Sequence, residues 1–129
     1  MAWLKRSTPT DTGWLNVSAE LTNGWTGTLF VRRVGTLVFF RGKLNAAGAT
    51  AAGAWSMPAG FNAPPLAHEG AYDYGAALAW TEETTPKIRR LNYYASRLSV
   101  IGYQASDVVL VADCYAVNSA WPSTYPGVS

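Results

Sequence analysis

Histidine and cysteine are almost missing from this chain, with one of each, His68 and Cys114, in 129 residues. A single cysteine excludes an internal disulfide and any multi-cysteine zinc site. A single histidine forces any triad or imidazole acid–base chemistry through His68. Charge is also scarce: charged residues are 14 % of the chain and the formal net charge is only +2. The ten Lys and Arg are scattered, apart from Arg32-Arg33, Arg41-Gly42-Lys43 and Lys87-Ile88-Arg89-Arg90. That spread lacks the concentrated basic face of a nucleic-acid binder, so no nucleic acid is expected as a partner. No run approaches the roughly eighteen apolar residues that span a bilayer, and no membrane insertion is expected. Met1-Ala2-Trp3-Leu4-Lys5-Arg6 has a basic pair with no apolar stretch behind it and does not read as a secretory signal. The expectation is a product kept in the cytosol unless it leaves by lysis or within a particle.

What the chain does contain is apolar and aromatic. The apolar share is 49 %, with six Trp and seven Tyr, enough for a packed core at a length typical of one domain. From Thr28 to Asn45, β-branched and aromatic residues surround Val34-Gly35-Thr36, and the pattern predicts a hairpin. After the turn, Val38, Phe40, Gly42 and Leu44 share one face at period two, opposite Leu37, Phe39, Arg41 and Lys43. Before it, Leu29, Val31 and Arg33 share one face and Phe30, Arg32 and Val34 the other. Bulky residues on both faces suit a strand lying between a core and a second protein surface.

Short strands are also expected at Gly13–Ser18, Ile88–Ser96 and Leu98–Tyr103, with a tight turn near Ser96-Arg97, and from Tyr74 to Trp80 the residues are small and apolar. A longer one is expected at Val108–Val117. In this last strand Val108, Leu110, Ala112, Cys114 and Ala116 form a smooth face, and Val109, Val111, Asp113, Tyr115 and Val117 a bulkier one. Asn23-Gly24 marks a turn, and Ala46–Ala54 reads as a loop. Three prolines between Trp55 and Pro65 restrict that stretch to an extended edge segment. Many short strands and no useful amphipathic helical window predict an all-β fold, an antiparallel β-sandwich that is jelly-roll-like. One domain over residues 1–129 is expected, with 1–12 an N-terminal arm and 119–129 an irregular C-terminal tail.

The search for chemistry returns little. His68 has Glu69 and Asp73 nearby, but their spacing matches no zinc signature and suits a solvated loop after Pro64-Pro65. Glu82-Glu83 are adjacent, so their carboxylates point apart, unlike a glycosidase pair. Asp113 interrupts an apolar strand and needs a partner if buried; Arg89, Arg90 or Arg97 could supply it, and exposure at the strand end is the equal alternative. Cys114, on the small-residue face, is expected to be a buried, inert thiol. No glycine spacing matches a nucleotide-binding loop, and Asn16-Val17-Ser18 matters as a glycosylation site only in a eukaryotic secretory protein. The expectations are no catalytic site, no cofactor and no metal.

The aromatics point elsewhere. Trp14, Trp25, Phe30 and Phe40 are assigned to the core or its lid. Trp3, Trp55, Tyr72, Tyr74, Trp80, Tyr93, Tyr94, Trp121 and Tyr125 are then too many for one small core, and the set is the candidate interface or ligand surface.

Several short motifs carry a resemblance. Asp11-Thr12-Gly13-Trp14, Asn23-Gly24-Trp25-Thr26-Gly27, Phe30-Val31-Arg32-Arg33-Val34-Gly35 and Met57-Pro58-Ala59-Gly60-Phe61 come in order, with Pro64-Pro65 close behind. A late long strand and a Trp121-Pro122 tail follow. In this order the chain resembles a module of bacteriophage virion proteins: tail-fibre C-terminal domains and small minor tail or capsid-decorating proteins. The resemblance implies a β-sandwich that forms homotrimers and serves virion architecture or host attachment. Its partners would be itself and other virion proteins, with host-surface glycan as the alternative. The chain departs from the pattern at Tyr94-Ala95-Ser96-Arg97, where a glycine-containing turn is usual, and in starting almost at Met1 rather than after a stalk. The second departure favours a stand-alone accessory subunit, made in the host cytoplasm and located in the virion.

Overall fold

A computed structural model describes residues 10–63, 76–93 and 96–128. The expected hairpin is β2 (Thr26–Val34) and β3 (Leu37–Asn45), paired without interruption from Thr26↔Asn45 to Val34↔Leu37. Gly35 in the two-residue link has φ 57°, the first-position glycine that a type II′ hairpin turn requires. A short β1 (Leu15–Asn16) flanks β2. Beyond the hairpin come β4 (Gly53–Ser56), β5 (Ala76–Thr81), β6 (Ile88–Asn92), β7 (Arg97–Ile101) and β8 (Val108–Ala116). The Ala46–Ala54 loop is thus two residues shorter than expected, since Gly53 and Ala54 already belong to β4, Gly53 opposite Ser99 on β7 and Ala54 at a register shift in the pairing. Of the stretch Trp55–Pro65 expected as an extended edge segment, Trp55 and Ser56 end the edge strand β4, whereas Pro58–Phe61 closes a turn, Phe61 N donating to Pro58 O at 3.0 Å, and Pro64-Pro65 lie outside the described residues.

All eight strands form one antiparallel sheet in the order β1-β2-β3-β8-β5-β6-β7-β4. Among the described residues its two four-stranded halves are paired as strands only at Trp80↔Leu110 and Thr81↔Val109. A joint that narrow lets the halves turn toward each other, and the sheet curls into a half-barrel, an all-β, β-sandwich-like architecture. Leu29, Val31, Val38, Phe40 and Leu44 from one half pack with Leu91, Leu98 and Val100 from the other. The far edges are tied by the chain around Asn23. Thr22 N donates to Ala54 O at 2.9 Å, Thr50 N to Asn23 O at 2.8 Å, and the buried Trp25 indole to Ala51 O at 2.8 Å.

The least expected core member is Arg33, only 4 % exposed on the inner face of β2. Among the described residues no carboxylate meets it. Its guanidinium donates to Gly35 O (2.9 Å), Gly60 O (2.7 Å), Ala120 O (2.9 Å) and Ser119 O (2.8 Å), and it lies 5.2 Å from the Trp121 ring centre. One side chain therefore holds the hairpin turn, the Met57–Phe61 loop and the C-terminal tail together. Burial pushes its pKa down, yet arginine's ordinary value is high enough for the charge to persist. Gly60, at φ 90°, completes the junction: a Cβ there would sit 2.8 Å from Pro122 Cβ.

A second buried ion, Asp107, receives Arg89 Nε at 2.6 Å and Nη2 at 3.2 Å, and the Gln104 amide at 2.9 Å. Burial alone would raise its pKa, but the bonds from Arg89 and Gln104 and the charges of Arg89 and Lys87 outweigh it and hold the carboxyl low.

Two outcomes follow for stability. Arg33→Lys has too few donors for the four carbonyls and should lower the unfolding free energy by about 3 kcal/mol in urea titrations. Limited proteolysis should then cut within 119–128 first. Asp107→Asn should cost about 3 kcal/mol near pH 7 by leaving Arg89 uncompensated. Because the native carboxyl is depressed, its contribution is present above the ordinary carboxylate range of about 4 and fades as pH falls below it. The gap between variant and native protein should therefore narrow in acid; an unchanged gap would mean that ionisation of Asp107 is not what stabilises.

Candidate functional site

The alternation of β8 decides what the outer surface carries. Val109 and Val111 point into the core and are buried, while Leu110, Ala112, Cys114 and Ala116 point out and are exposed. The expected burial of Cys114 is therefore corrected: its thiol is exposed. The inner space is filled by the bulkier face, whose valines and Tyr115 supply the volume that alanines and a thiol lack. Partial desolvation and the neighbouring Asp113 carboxylate push the Cys114 pKa up, which leaves a protonated, weakly nucleophilic thiol.

Register then assembles an apolar row. Leu110 stands opposite Trp80, and Trp80 opposite Ile88. The three side chains are 42 %, 49 % and 52 % exposed, and Leu78, two residues before Trp80 on the same face, is 62 % exposed. The row lies over the joint between the sheet halves. On its β3 side Lys43 faces Leu110 and pairs with Glu82 at 2.7 Å. These two charges help line a shallow basin of about 480 Å³ with Thr26, Thr28, Asn45 and Val108. Toward the hairpin tip a second, more apolar hollow of about 390 Å³ is lined by Trp14, Val34, Leu37, Phe39 and Arg32. There Arg41 lies over the Trp14 ring at 4.5 Å and Arg32 pairs with Asp11 at 2.6 Å. The Arg32 hydrogen bond, then the Gly13 amide, lowers the Asp11 carboxyl to about 2.

Of the nine candidate aromatics, Trp80 and Tyr125 are exposed, at 49 % and 48 %, and Trp121 is half-buried. Trp55 and Tyr93, each 2 % exposed, are core residues and leave the candidate surface. The Trp55 indole reaches Glu20 at 3.2 Å, and Tyr93 packs its ring 5.0 Å from that of Tyr115 and 5.9 Å from that of Phe40. Trp3, Tyr72, Tyr74 and Tyr94 lie outside the described residues, as do His68, Glu69 and Asp73. Trp25 and Phe40 are in the core as assigned, whereas Trp14 and Phe30 are only half-buried. No family model, curated protein or solved structure matches the chain.

Asp113 is half-buried, and among the described residues no arginine pairs with it. Tyr93 donates its hydroxyl to the Asp113 carboxylate, and Arg89 is engaged by Asp107. Burial, then Asp113, pushes the Tyr93 phenol far up; such a phenol gives up no proton at neutral pH. The Tyr115 hydroxyl is spent on Phe61 O and, at 3.2 Å, on Met57 Sδ. Among the described residues no group of three or more metal-ligating side chains comes together. What this surface can do is bury apolar area and make a few charge-assisted contacts.

The exposed thiol gives a direct check. The native protein should titrate one thiol per chain with a thiol reagent in the absence of denaturant, at a rate still climbing above pH about 8.5. A thiol that reacts only after denaturation would place the small face of β8 inside and overturn this account of the surface.

Proposed function

We propose that this chain is a structural virion protein of a bacteriophage, a minor tail or capsid-decoration subunit that works by protein–protein contact. The observation that carries the reading is the outer row Leu110–Trp80–Ile88 with Leu78 beside it. Large apolar side chains grouped on a surface mark interaction sites, whereas singly scattered ones do not. Aromatic and aliphatic anchors of this kind form the dry centre of protein interfaces. The ordered motifs that resemble virion modules say what assembly is meant. In this reading the chain forms a homotrimer and contacts other virion proteins, as an accessory subunit made in the host cytoplasm. It acts through contact and not through a reaction.

A second reading, a module that binds host-surface saccharide, draws on a different feature. Tyr125 and Trp121 stand edge to face, 6.3 Å apart, on a basin of about 470 Å³ that also holds Glu20 and Gly60. Trp121 gives one face to Arg33, and the Glu20 carboxylate already accepts from Gly127 N at 2.5 Å. Less of this basin is free for a sugar than its residue types imply.

The deciding experiment pairs the mass of the isolated protein in solution with its copy number in purified phage particles. A trimer mass and a defined copy number, hundreds for a capsid role or a few for a tail tip, is the expected result. Absence from particles would end the structural reading. Glycan-array binding lost in Tyr125→Ala, with incorporation unchanged, would transfer the function to the tail basin.

A further inference from the structure

The apolar row is bordered on β6 by Arg90, a cation with no counter-ion among the described residues. Arg90 on β6 stands opposite Leu78 and diagonal to Trp80, on the same outer face. Across β7 it faces Ile101, and Arg97 lies farther along that strand. Arg90 and Arg97 are exposed, and neither makes an ion pair among the described residues. The nearby carboxylates are engaged: Glu82 by Lys43 at 2.7 Å, Glu83 by Lys87 at 3.6 Å. Among the described residues the surface is thus an apolar centre with an unneutralised positive charge at its β6 border.

From this charge pattern we infer that the outer face of β8, β5 and β6 docks a protein other than this chain, one presenting an apolar surface edged by carboxylates. The inference rests on the assembly reading and names the partner chemistry of this one face. At their exposures, Leu78, Trp80, Ile88 and Leu110 leave on the order of 400 Å² of apolar area open. That is about half of what one partner of a standard interface buries, so the arginine stems and neighbouring residues must join it. Two copies meeting face to face would bring Arg90 and Arg97 of each toward the same border of the other, with no free carboxylate among the described residues to receive them. Desolvating an unpaired guanidinium is costly, which counts against a second copy here. An acidic border instead supplies bidentate partners for both arginines. The flanks of Trp80 are aliphatic on both neighbouring strands, which suits protein side chains better than a sugar ring that needs polar groups around it.

The test uses two surface variants, Trp80→Glu and Arg90→Glu, each first shown to unfold within a few degrees of the native chain. Arg90→Lys serves as the conservative control. For each protein, solution mass and copy number in purified particles are measured together. The expected result is an unchanged solution mass for all three, at least a tenfold loss of incorporation for the two Glu variants, and a smaller loss for Arg90→Lys. A fall in solution mass with Trp80→Glu would make the row a contact between copies and overturn the inference while sparing the assembly reading. Normal incorporation of both Glu variants would overturn it as well, and loss of host-cell binding alone would assign the face to saccharide. Absence of the native chain from particles would remove the assembly reading itself.

Discussion

A single buried guanidinium, with no counter-charge among the described residues, sets the geometry of one end of this fold. Arg33 cannot lose its proton at any ordinary pH, so its burial is tolerable only while carbonyl oxygens surround it. Those oxygens come from Gly35, Gly60, Ser119 and Ala120. The hairpin turn, the Met57–Phe61 loop and the tail must therefore arrive together. Gly60 and Pro122 interlock at the same point, where a side chain on Gly60 would collide.

From that end the half-barrel runs to its narrow joint, and the joint bears on the outer surface. Among the described residues the halves are paired there at only two positions, one facing in and one facing out. The inward pair, Thr81↔Val109, is buried on both sides. The outward pair, Trp80↔Leu110, bridges the same joint on the open face and begins the apolar row. Interior packing consumes one face of β3, β5 and β8, and what remains outside is still apolar. That excess separates this sheet from one that alternates cleanly between core and water.

Much of this was readable in the alternation of side chains. The sidedness of β2 and β3, the Gly35 turn, the edge position of Trp55 and Ser56 and the inequality of the β8 faces follow from period two and from proline and glycine chemistry. Where expectation failed, it failed over which face is covered. Cys114 was assigned inward because small residues pack smoothly, but the core needed the volume of Val109, Val111 and Tyr115. A count of aromatics shows only that some of the nine candidates must lie outside the core; that Trp55 and Tyr93 are not among those depends on the space between sheet halves, whose curvature no local pattern encodes.

By itself the sequence determined that the chain pairs as antiparallel strands, which residues share a face, and that histidine and cysteine chemistry is confined to one residue of each kind. Those are properties of neighbouring residues, and local sterics and periodicity suffice to specify them. Only the tertiary structure decided that Arg33 is buried, that Asp113 is met by Tyr93, and that Leu110, Trp80 and Ile88 align into one row. Each of these joins strands or loops well apart in the chain, in the case of Arg33 and Ser119 by 86 residues. Register and curvature, which arise from packing the whole sheet at once, set those meetings.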